Sequence, residues 1–183
     1  MRKIQLLAIA IILLCTASYT SAQDNKFKVS EKSHMLIEGT SNLRDWGVEI
    51  PVIKGDAAID AGSVESFAFT IKVNDMKGTV SGMMEHVKKA LKADANPEIR
   101  FSLAKPGKLE NGKSKVEANI TAAGKTKLFE IDGNVKKEGN MYIITGIKGM
   151  KMTDFGIEPP KALLGTVKAA DAINIKFEVI LNQ

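Results

Sequence analysis

Apolar and polar residues alternate with a period of two over long stretches of this chain, and this pattern limits its fold more than any other feature. An extended strand points successive side chains to opposite faces, so alternation predicts one dry and one wet face. The clearest apolar face is that of segment 173–179, formed by Ile173, Ile175, Phe177 and Val179. Two further apolar faces follow the same rule. One is formed by Phe67, Phe69, Ile71 and Val73, and the other by Ile99, Phe101 and Leu103.

Weaker strand patterns cover residues 27–29, 35–38, 48–59, 115–121, 127–135 and 141–151. Turn-forming residues at 54–56, 110–113 and 137–140 separate them, and Asn111-Gly112 is a strong hairpin signal. About eight strands with short turns predict an all-β domain, as an antiparallel barrel or a sandwich. Closing the sheet into a barrel would remove the exposed strand edges.

Segment 81–93 departs from the alternation and predicts one α-helix that covers the sheet. Ser81 is a suitable N-cap, and Asn96-Pro97 follows the predicted end. Met84, Val87 and Leu91 are spaced by three and four residues, so they share one face of the helix. This apolar stripe predicts that the helix lies on an apolar surface.

The N-terminal segment 1–22 has the pattern of a cleaved secretory signal peptide. Arg2 and Lys3 precede an apolar run at 4–14 that is too short to span a bilayer, and small residues follow at 20–22. Leu14 precedes Cys15, which argues against a lipoprotein anchor because such anchors require a small residue there. We therefore expect one barrel domain over residues 23–183, in the periplasm or secreted.

The mature chain lacks cysteine and is only weakly basic. Cys15 is the only cysteine, so disulfides, thiol nucleophiles and cysteine-bound metals are excluded from residues 23–183. Removing residues 1–22 takes away two basic residues and lowers the net charge from +5 to about +3. This charge is too small to indicate nucleic-acid binding, and no membrane-spanning segment follows the signal.

No arrangement of residues in the sequence indicates an enzyme. His34 and His86 lack a second histidine at metal-ligand spacing, and Asp154 lies in a Gly-containing, turn-like segment. No dinucleotide, phosphate-loop or serine-hydrolase motif occurs. We therefore predict neither catalytic residues nor a metal or cofactor, with an enzyme using Asp154 and His34 as an alternative.

Three segments in order along the chain carry a resemblance to a known family. They are GTSNLRDW at 39–46, the stretch from Met84 to the NPEIRF sequence at 96–101, and KMTDFGIEPP at 151–160. Their order and spacing resemble the YceI-like family of bacterial polyisoprenoid-binding periplasmic proteins. The resemblance extends over residues 27–181, almost the whole mature chain.

The resemblance implies an extended, eight-stranded, antiparallel lipocalin-like β-barrel with an apolar tunnel and no catalytic activity. It implies an isoprenoid quinone or a similar amphiphilic lipid as the bound partner. Members often carry His where this chain has Arg44, so Arg44 is the head-group candidate and would supply a permanent cation. The candidate tunnel and lid residues are Trp46, Phe67, Phe69, Ile71, Met84, Val87, Leu91, Ile99, Phe101, Phe155, Ile175 and Phe177.

A second hypothesis is a structural or stress-related interaction module whose barrel is filled by its own side chains. The volume of the interior distinguishes the two, because large side chains in every inward layer would leave no tunnel. The sequence leaves the identity of the lipid open, and it does not decide between a monomer and a homodimer.

Overall fold

The computed structural model describes residues 25–183, so the predicted signal peptide at 1–22, including Cys15, lies outside the described residues. The described part contains one α-helix, α1 (Met83–Leu91), and short 3-10 turns at Val73–Asp75, Met152–Phe155 and Leu163–Gly165. Its strands are β1 (Lys26–Val29), β2 (His34–Ser41), β3 (Trp46–Ile50), β4 (Lys54–Asp60), β5 (Ser63–Lys72), β6 (Lys77–Gly78), β7 (Glu98–Leu103), β8 (Gly107–Lys108), β9 (Gly112–Ala122), β10 (Lys125–Glu138), β11 (Met141–Lys151), β12 (Lys161–Ala162) and β13 (Val167–Asn182).

Eight strands close into an antiparallel barrel, which confirms the predicted fold class. The order is β1, β4, β5, β7, β9, β10, β11, β13, and β13 returns to β1 through the pair Val29↔Leu181. β2 pairs with the same edge of β13 as β1 does, but nearer the start of β13. β3 then pairs with β2, and β6 pairs with β3. These additions lengthen the barrel at the end that carries α1 and the β2–β3 turn, which we call the upper end.

The predicted apolar faces point into the barrel. Ile175 and Val179 are buried on β13, while Asn174 and Lys176, on either side of Ile175, are exposed. Phe69 and Ile71 on β5 follow the same rule. Alternation therefore sets which side chains form the core, and the antiparallel pairing brings these faces together.

The predicted helix is confirmed, with a shorter extent than 81–93. It begins at Met83, and Gly82, not Ser81, occupies the N-cap with a left-handed φ of 75°. Glycine adopts this conformation without steric cost, so it ends the preceding turn more readily than serine. The helix ends at Leu91, which is buried, whereas Met84 and Val87 are half-buried.

Two details of the strand prediction were wrong. Segment 48–59 is two strands, because Pro51 cannot donate a backbone hydrogen bond and the chain leaves the sheet between Ile50 and Lys54. Residues 54–56 lie inside β4 and not in a turn. Gly55 has a φ of 147° there, and a Cβ at this position would overlap the Ala68 carbonyl, so the glycine permits close strand contact.

The turn predictions had mixed outcomes. Gly139-Asn140 forms a tight turn between β10 and β11, with Glu138 paired to Met141, as predicted. Asn111-Gly112 ends a longer connection: β7 and β9 do pair, but the intervening β8 pairs with β5. The Asn-Gly signal therefore predicted the start of β9 correctly, but it did not predict that the preceding β8 pairs with β5.

The barrel has a seam near its upper end, between β10 and β11. These strands pair only from Asn134↔Thr145 to Glu138↔Met141. The earlier part of β10, from Lys125, and the later part of β11, to Lys151, are not paired with each other. The turn Met152–Phe155 covers this gap, where the Phe155 ring lies 5.8 Å from that of Phe129. The seam is thus closed by side chains, not by backbone hydrogen bonds.

Two carboxylates hold the Met152–Phe155 turn in place. Asp154 pairs with Lys127 of β10 and accepts a hydrogen bond from the Lys151 backbone N–H at 3.0 Å, and these contacts lower its pKa. Asp171 of β13 accepts hydrogen bonds from the Thr153 hydroxyl at 2.6 Å and its N–H at 2.9 Å, which lower the pKa of Asp171. Asp154 therefore acts within the described fold as a turn-stabilising residue.

Candidate functional site

The barrel encloses an interior cavity of about 110 Å³. Every side chain on its wall is apolar except that of Lys148. The wall is built by the inward faces of β5, β7, β9, β10, β11 and β13, together with residues from β2, β4 and the loop after β8. It comprises Met35, Ala57, Val64, Phe67, Phe69, Phe101, Leu109, Val116, Ala118, Ile120, Ile131, Ile144, Lys148, Met150, Ile175, Phe177, Val179 and Leu181.

Lys148 brings the only charge to this wall. It shares the inward face of β11 with Ile144 and Met150, since these residues are separated by even numbers of positions. Its ammonium lies 5.9 Å from the Phe129 ring centroid, and no hydrogen bond or ion pair to it occurs within residues 25–183. The sequence analysis missed Lys148, although its parity with Ile144 and Met150 was available to find it.

Aromatic rings occupy much of the interior. Phe67 and Phe69 stack with ring centroids 4.9 Å apart. The Phe177 ring lies against Gly146, its partner in the sheet, where a Cβ would overlap the ring. Glycine at position 146 therefore makes room for Phe177, and the ring fills space that a longer cavity would need.

A second cavity of about 410 Å³ lies at the upper end, between α1, the β2–β3 turn and segment 160–169. We call it the mouth pocket. Trp46 forms part of its wall, and its indole N–H donates to the Thr40 carbonyl at 3.0 Å. The ring lies across Gly39, where any Cβ would overlap it. Segment 39–46 thus joins β2 to β3 through the turn at 42–45 and holds Trp46 at the mouth.

The predicted tunnel and lid residues fall into three groups. Phe67, Phe69, Phe101, Ile175 and Phe177 line the interior cavity. Arg44, Trp46 and Val87 line the mouth pocket, and Arg44 is exposed there. The residues that line neither cavity are Ile71, Met84, Leu91, Ile99 and Phe155.

The residues of the third group are packed in or against the core and do not border either cavity. Ile71 and Ile99 face each other across β5 and β7 and are buried in the core, as are Leu91 and Phe155. Period-two alternation identifies inward residues but does not distinguish a packed layer from a cavity wall. That distinction depends on how side chains from several strands meet, which no single segment encodes.

The interior volume bears directly on the two hypotheses about the barrel. At about 110 Å³ it is smaller than the roughly 150 Å³ of an engineered apolar cavity that binds benzene. The barrel is therefore neither completely filled nor open along its length. Any long chain must displace interior side chains such as Phe177 to enter.

The two residues of the enzymatic alternative are far apart. His34 pairs with Glu178 of β13, whereas Lys151, next to the Asp154 turn, pairs with Ala172. These positions are six residue steps apart along β13, which corresponds to roughly 20 Å. Within residues 25–183 no cluster of three or more His, Cys, Asp or Glu could hold a metal ion, and no helix there could cross a bilayer.

A closed, eight-stranded antiparallel barrel with an apolar interior is the architecture of lipocalin-like barrel proteins. Within that class, the chain belongs to the YceI-like family, because the model of the YceI-like domain matches residues 20–181. No curated protein sequence matches the chain.

Solved structures share the fold at low sequence identity. BcnA of Burkholderia cenocepacia is 18% identical with a TM-score of 0.69, covering 83% of this chain and 98% of its own. A polyisoprenoid-binding domain of Saccharophagus degradans, implicated in plant cell wall breakdown, is 9% identical with a TM-score of 0.68, covering 87% and 99%. The YceI protein of Campylobacter jejuni is 20% identical with a TM-score of 0.63, covering 74% and 84%.

Proposed function

We propose that this chain is a non-catalytic binding protein that holds an amphiphilic, isoprenoid-type lipid, such as a polyisoprenoid or an isoprenoid quinone, inside its barrel. The observation that carries this proposal is the interior wall, which is apolar throughout except for Lys148. Concave apolar cavities with few polar groups are the usual form of small-molecule binding sites. The similarity to a polyisoprenoid-binding domain supports the same ligand class.

The chain of the lipid would supply most of the affinity. Burial of apolar surface contributes about 0.8 kcal/mol per methylene, so ten methylenes give roughly 8 kcal/mol before other terms. Part of this gain is offset by immobilising the lipid and by moving the side chains that now occupy the interior. Affinity should therefore rise with chain length until the barrel is full.

Two cations can contact a polar head group at different depths. Arg44 is exposed beside the mouth pocket, and Lys148 faces the interior cavity. Both donate hydrogen bonds and accept none, so they favour head groups with carbonyl, phosphate or carboxylate oxygens. This selection complements the apolar wall, which has little other means of discriminating between lipids.

We further propose that the protein acts in the periplasm or outside the cell after loss of residues 1–22. The support is the pattern of Arg2, Lys3, the apolar run at 4–14 and the small residues at 20–22. N-terminal sequencing of the exported protein tests this, and a first residue other than one close to Gln23 would contradict the cleavage site.

Native mass spectrometry of the protein purified without detergent, followed by organic extraction, tests the proposed function. We expect a stoichiometric adduct whose extracted mass fits an isoprenoid-type lipid. Repeated absence of an adduct, together with failure to take up a long-chain fluorescent lipid, would contradict the proposal. That result would favour the second candidate, an interaction module, for which the small interior cavity is the supporting observation.

A further inference from the structure

Three exposed leucines lie together at the upper end of the barrel. Leu43 is 63% exposed, Leu163 is 70% exposed and Leu164 is fully exposed. Leu43 belongs to the β2–β3 turn, and the other two belong to the turn Leu163–Gly165 before β13. Leu43 and Leu163 also line the mouth pocket, so this group, which we call the apolar tip, borders its opening.

The backbone of the apolar tip is strained in a way that keeps these side chains outside the core. Leu163 and Leu164 have φ values of 49° and 54°, in the left-handed region that bulky residues avoid. The hydroxyl and the N–H of Thr166 donate to the Leu163 carbonyl at 2.7 and 3.1 Å and hold the turn closed. Strain retained at exposed apolar residues indicates a use at that surface.

Asn42 joins the two turns into one rigid surface. Its amide nitrogen donates to the Thr166 carbonyl at 2.8 Å, and its amide oxygen accepts from the Lys168 N–H at 2.8 Å. Its own backbone N–H donates to the Lys168 carbonyl at 3.2 Å. Leu43 is thereby held beside Leu163 and Leu164, which are distant in sequence.

Two cations, Arg44 and Lys168, flank the apolar tip. Lys161 pairs with Glu158 at 3.0 Å, and the exposed carboxylates near Arg44 and Lys168 are those of Asp45 and Glu85. Neither Arg44 nor Lys168 forms an ion pair in the described part of the chain. Exposed leucines flanked by cations complement a bilayer surface that carries anionic head groups.

We propose that the apolar tip docks the upper end of the barrel onto an anionic lipid bilayer. The three leucines enter the region between head groups and acyl chains, and Arg44 and Lys168 contact lipid phosphates. Three leucines on projecting turns present far less surface than the roughly 800 Å² that each partner buries in a stable dimer, which favours a fluid lipid surface over a second copy. Docking in this orientation places the mouth pocket against the membrane.

Vesicle flotation tests the proposal with residues 23–183, which contain every strand of the barrel. The apolar run at 4–14 is left out because it would bind vesicles by itself. We expect binding to phosphatidylcholine vesicles that contain phosphatidylglycerol, and a loss of about ten-fold in affinity for the double variant Leu163→Asn/Leu164→Asn. Asparagine tolerates left-handed φ values, so this variant should fold at least as well as the parent chain.

Matched controls separate the tip from general surface properties. Leu128→Asn/Ile147→Asn removes two exposed apolar side chains from the barrel wall and should leave vesicle binding unchanged. Arg44→Gln/Lys168→Gln should weaken binding to the anionic vesicles by about ten-fold, whereas Lys32→Gln/Lys113→Gln should not. Thermal unfolding of each variant confirms that it is folded.

Three outcomes would overturn the proposal. One is equal binding by the parent chain and the leucine double variant. Another is an equal loss in the wall control, which would make the effect non-specific. The third is a change from dimer to monomer in the double variant without a change in vesicle binding, which would identify the tip as an interface between two copies. Because lipid docking is measured on vesicles without extracted cargo, its failure is distinct from failure of the proposed barrel ligand.

Discussion

At the scale of single residues, Lys148 is the feature of the site that most restricts the ligand. Lys148 is half-buried beside the apolar wall, and its ammonium has no anionic partner within residues 25–183. An apolar residue at this position would fill the same wall with less conflict. Under the proposed function, Lys148 can donate a hydrogen bond to an acceptor on the lipid.

The variant Lys148→Met tests this role. We expect affinity for farnesyl phosphate to fall about ten-fold, corresponding to about 1.4 kcal/mol, because the phosphate loses its cation. Affinity for farnesol should change little, and the free energy of unfolding should be unchanged or higher. Displacement of a fluorescent lipid measures both affinities. Ile147→Met, on the outer wall next to Lys148, is the control, and an equal loss for both ligands would contradict the prediction.

Asp154 provides a test of the seam through pH. Lys127 and the Lys151 N–H lower its pKa below the ordinary 3.8, so the charged carboxylate stabilises the fold above about pH 4. This contribution is lost as the pH falls through the lowered pKa of the folded chain. We expect Asp154→Asn to reduce the free energy of unfolding by about 1 kcal/mol at neutral pH and by almost nothing near pH 2.

Thermal and denaturant unfolding across this pH range measure the difference between Asp154→Asn and the parent chain. Glu158→Gln is the control, because Glu158 forms an exposed i,i+3 pair with Lys161 that should matter little at any pH. A difference for Asp154→Asn that stays constant with pH would show that the carboxylate charge is not what holds the Met152–Phe155 turn.

At the scale of elements, hydrogen bonds from single side chains join segments that the strand pairing leaves apart. Ser33 is buried, accepts from the Ile180 N–H at 2.9 Å and donates to the Ile180 carbonyl at 3.3 Å. It thereby attaches the break between β1 and β2 to β13. Asn42 makes a similar connection at the upper end, between the β2–β3 turn and the start of β13.

Replacing Asn42 should release the two turns without disturbing the barrel. Asn42→Ala removes the side-chain contacts to the Thr166 carbonyl and the Lys168 N–H. We expect faster amide hydrogen exchange at residues 41–45 and 162–168, because these turns have few other restraints, and unchanged exchange in β9 and β10. Exchange measured by mass spectrometry on Asn174→Ala, on the outer face of β13, is the control. Uniformly faster exchange would instead mean that Asn42 stabilises the whole fold.

The elements that the sequence predicts well are those whose pattern is local. Alternation places Ile175 and Phe177 on one face, and the three- and four-residue spacing of Met84, Val87 and Leu91 identifies α1. Errors occur where distant contacts decide the outcome. Gly55 looks like a turn residue, yet it lies in β4 because the Ala68 backbone passes too close for a side chain.

The same limit applies to the candidate site. Trp46 can be recognised as a landmark from the sequence, but its position depends on Gly39 leaving room for the ring. Lys148 is an even number of residues from Ile144 and Met150, which predicts an inward side chain. Because lysine is charged, however, an outward side chain would ordinarily be expected. Ile71 and Ile99 face inward as predicted, but they are packed in the core and line neither cavity.

At the scale of the whole molecule, the two ends of the barrel differ. At the lower end, the buried rings of Phe27 and Tyr142 pack edge to face, with ring centroids 5.3 Å apart. The upper end has the mouth pocket, the apolar tip and the seam beside Met152–Phe155. Under the proposed function, a lipid chain would enter from the mouth, and the small interior cavity must widen to admit it.

Phe177 is the side chain whose removal should widen the interior most directly, because its ring fills the space over Gly146. We expect Phe177→Ala to lower the free energy of unfolding by about 3 kcal/mol, through lost burial and an enlarged cavity. Affinity for a long-chain fluorescent lipid should rise about ten-fold, because the lipid no longer has to displace the ring. Denaturant unfolding and lipid titration measure the two quantities.

Phe27→Ala is the matched control for Phe177→Ala. Phe27 is buried at the lower end and does not line the interior cavity, so its removal should lower stability by a similar amount without raising affinity. Equal affinities of Phe177→Ala and the parent chain would show that interior volume does not limit binding. The lipid would then have to be held at the mouth pocket, where Trp46 and Val87, not the Phe177 layer, would contact its chain.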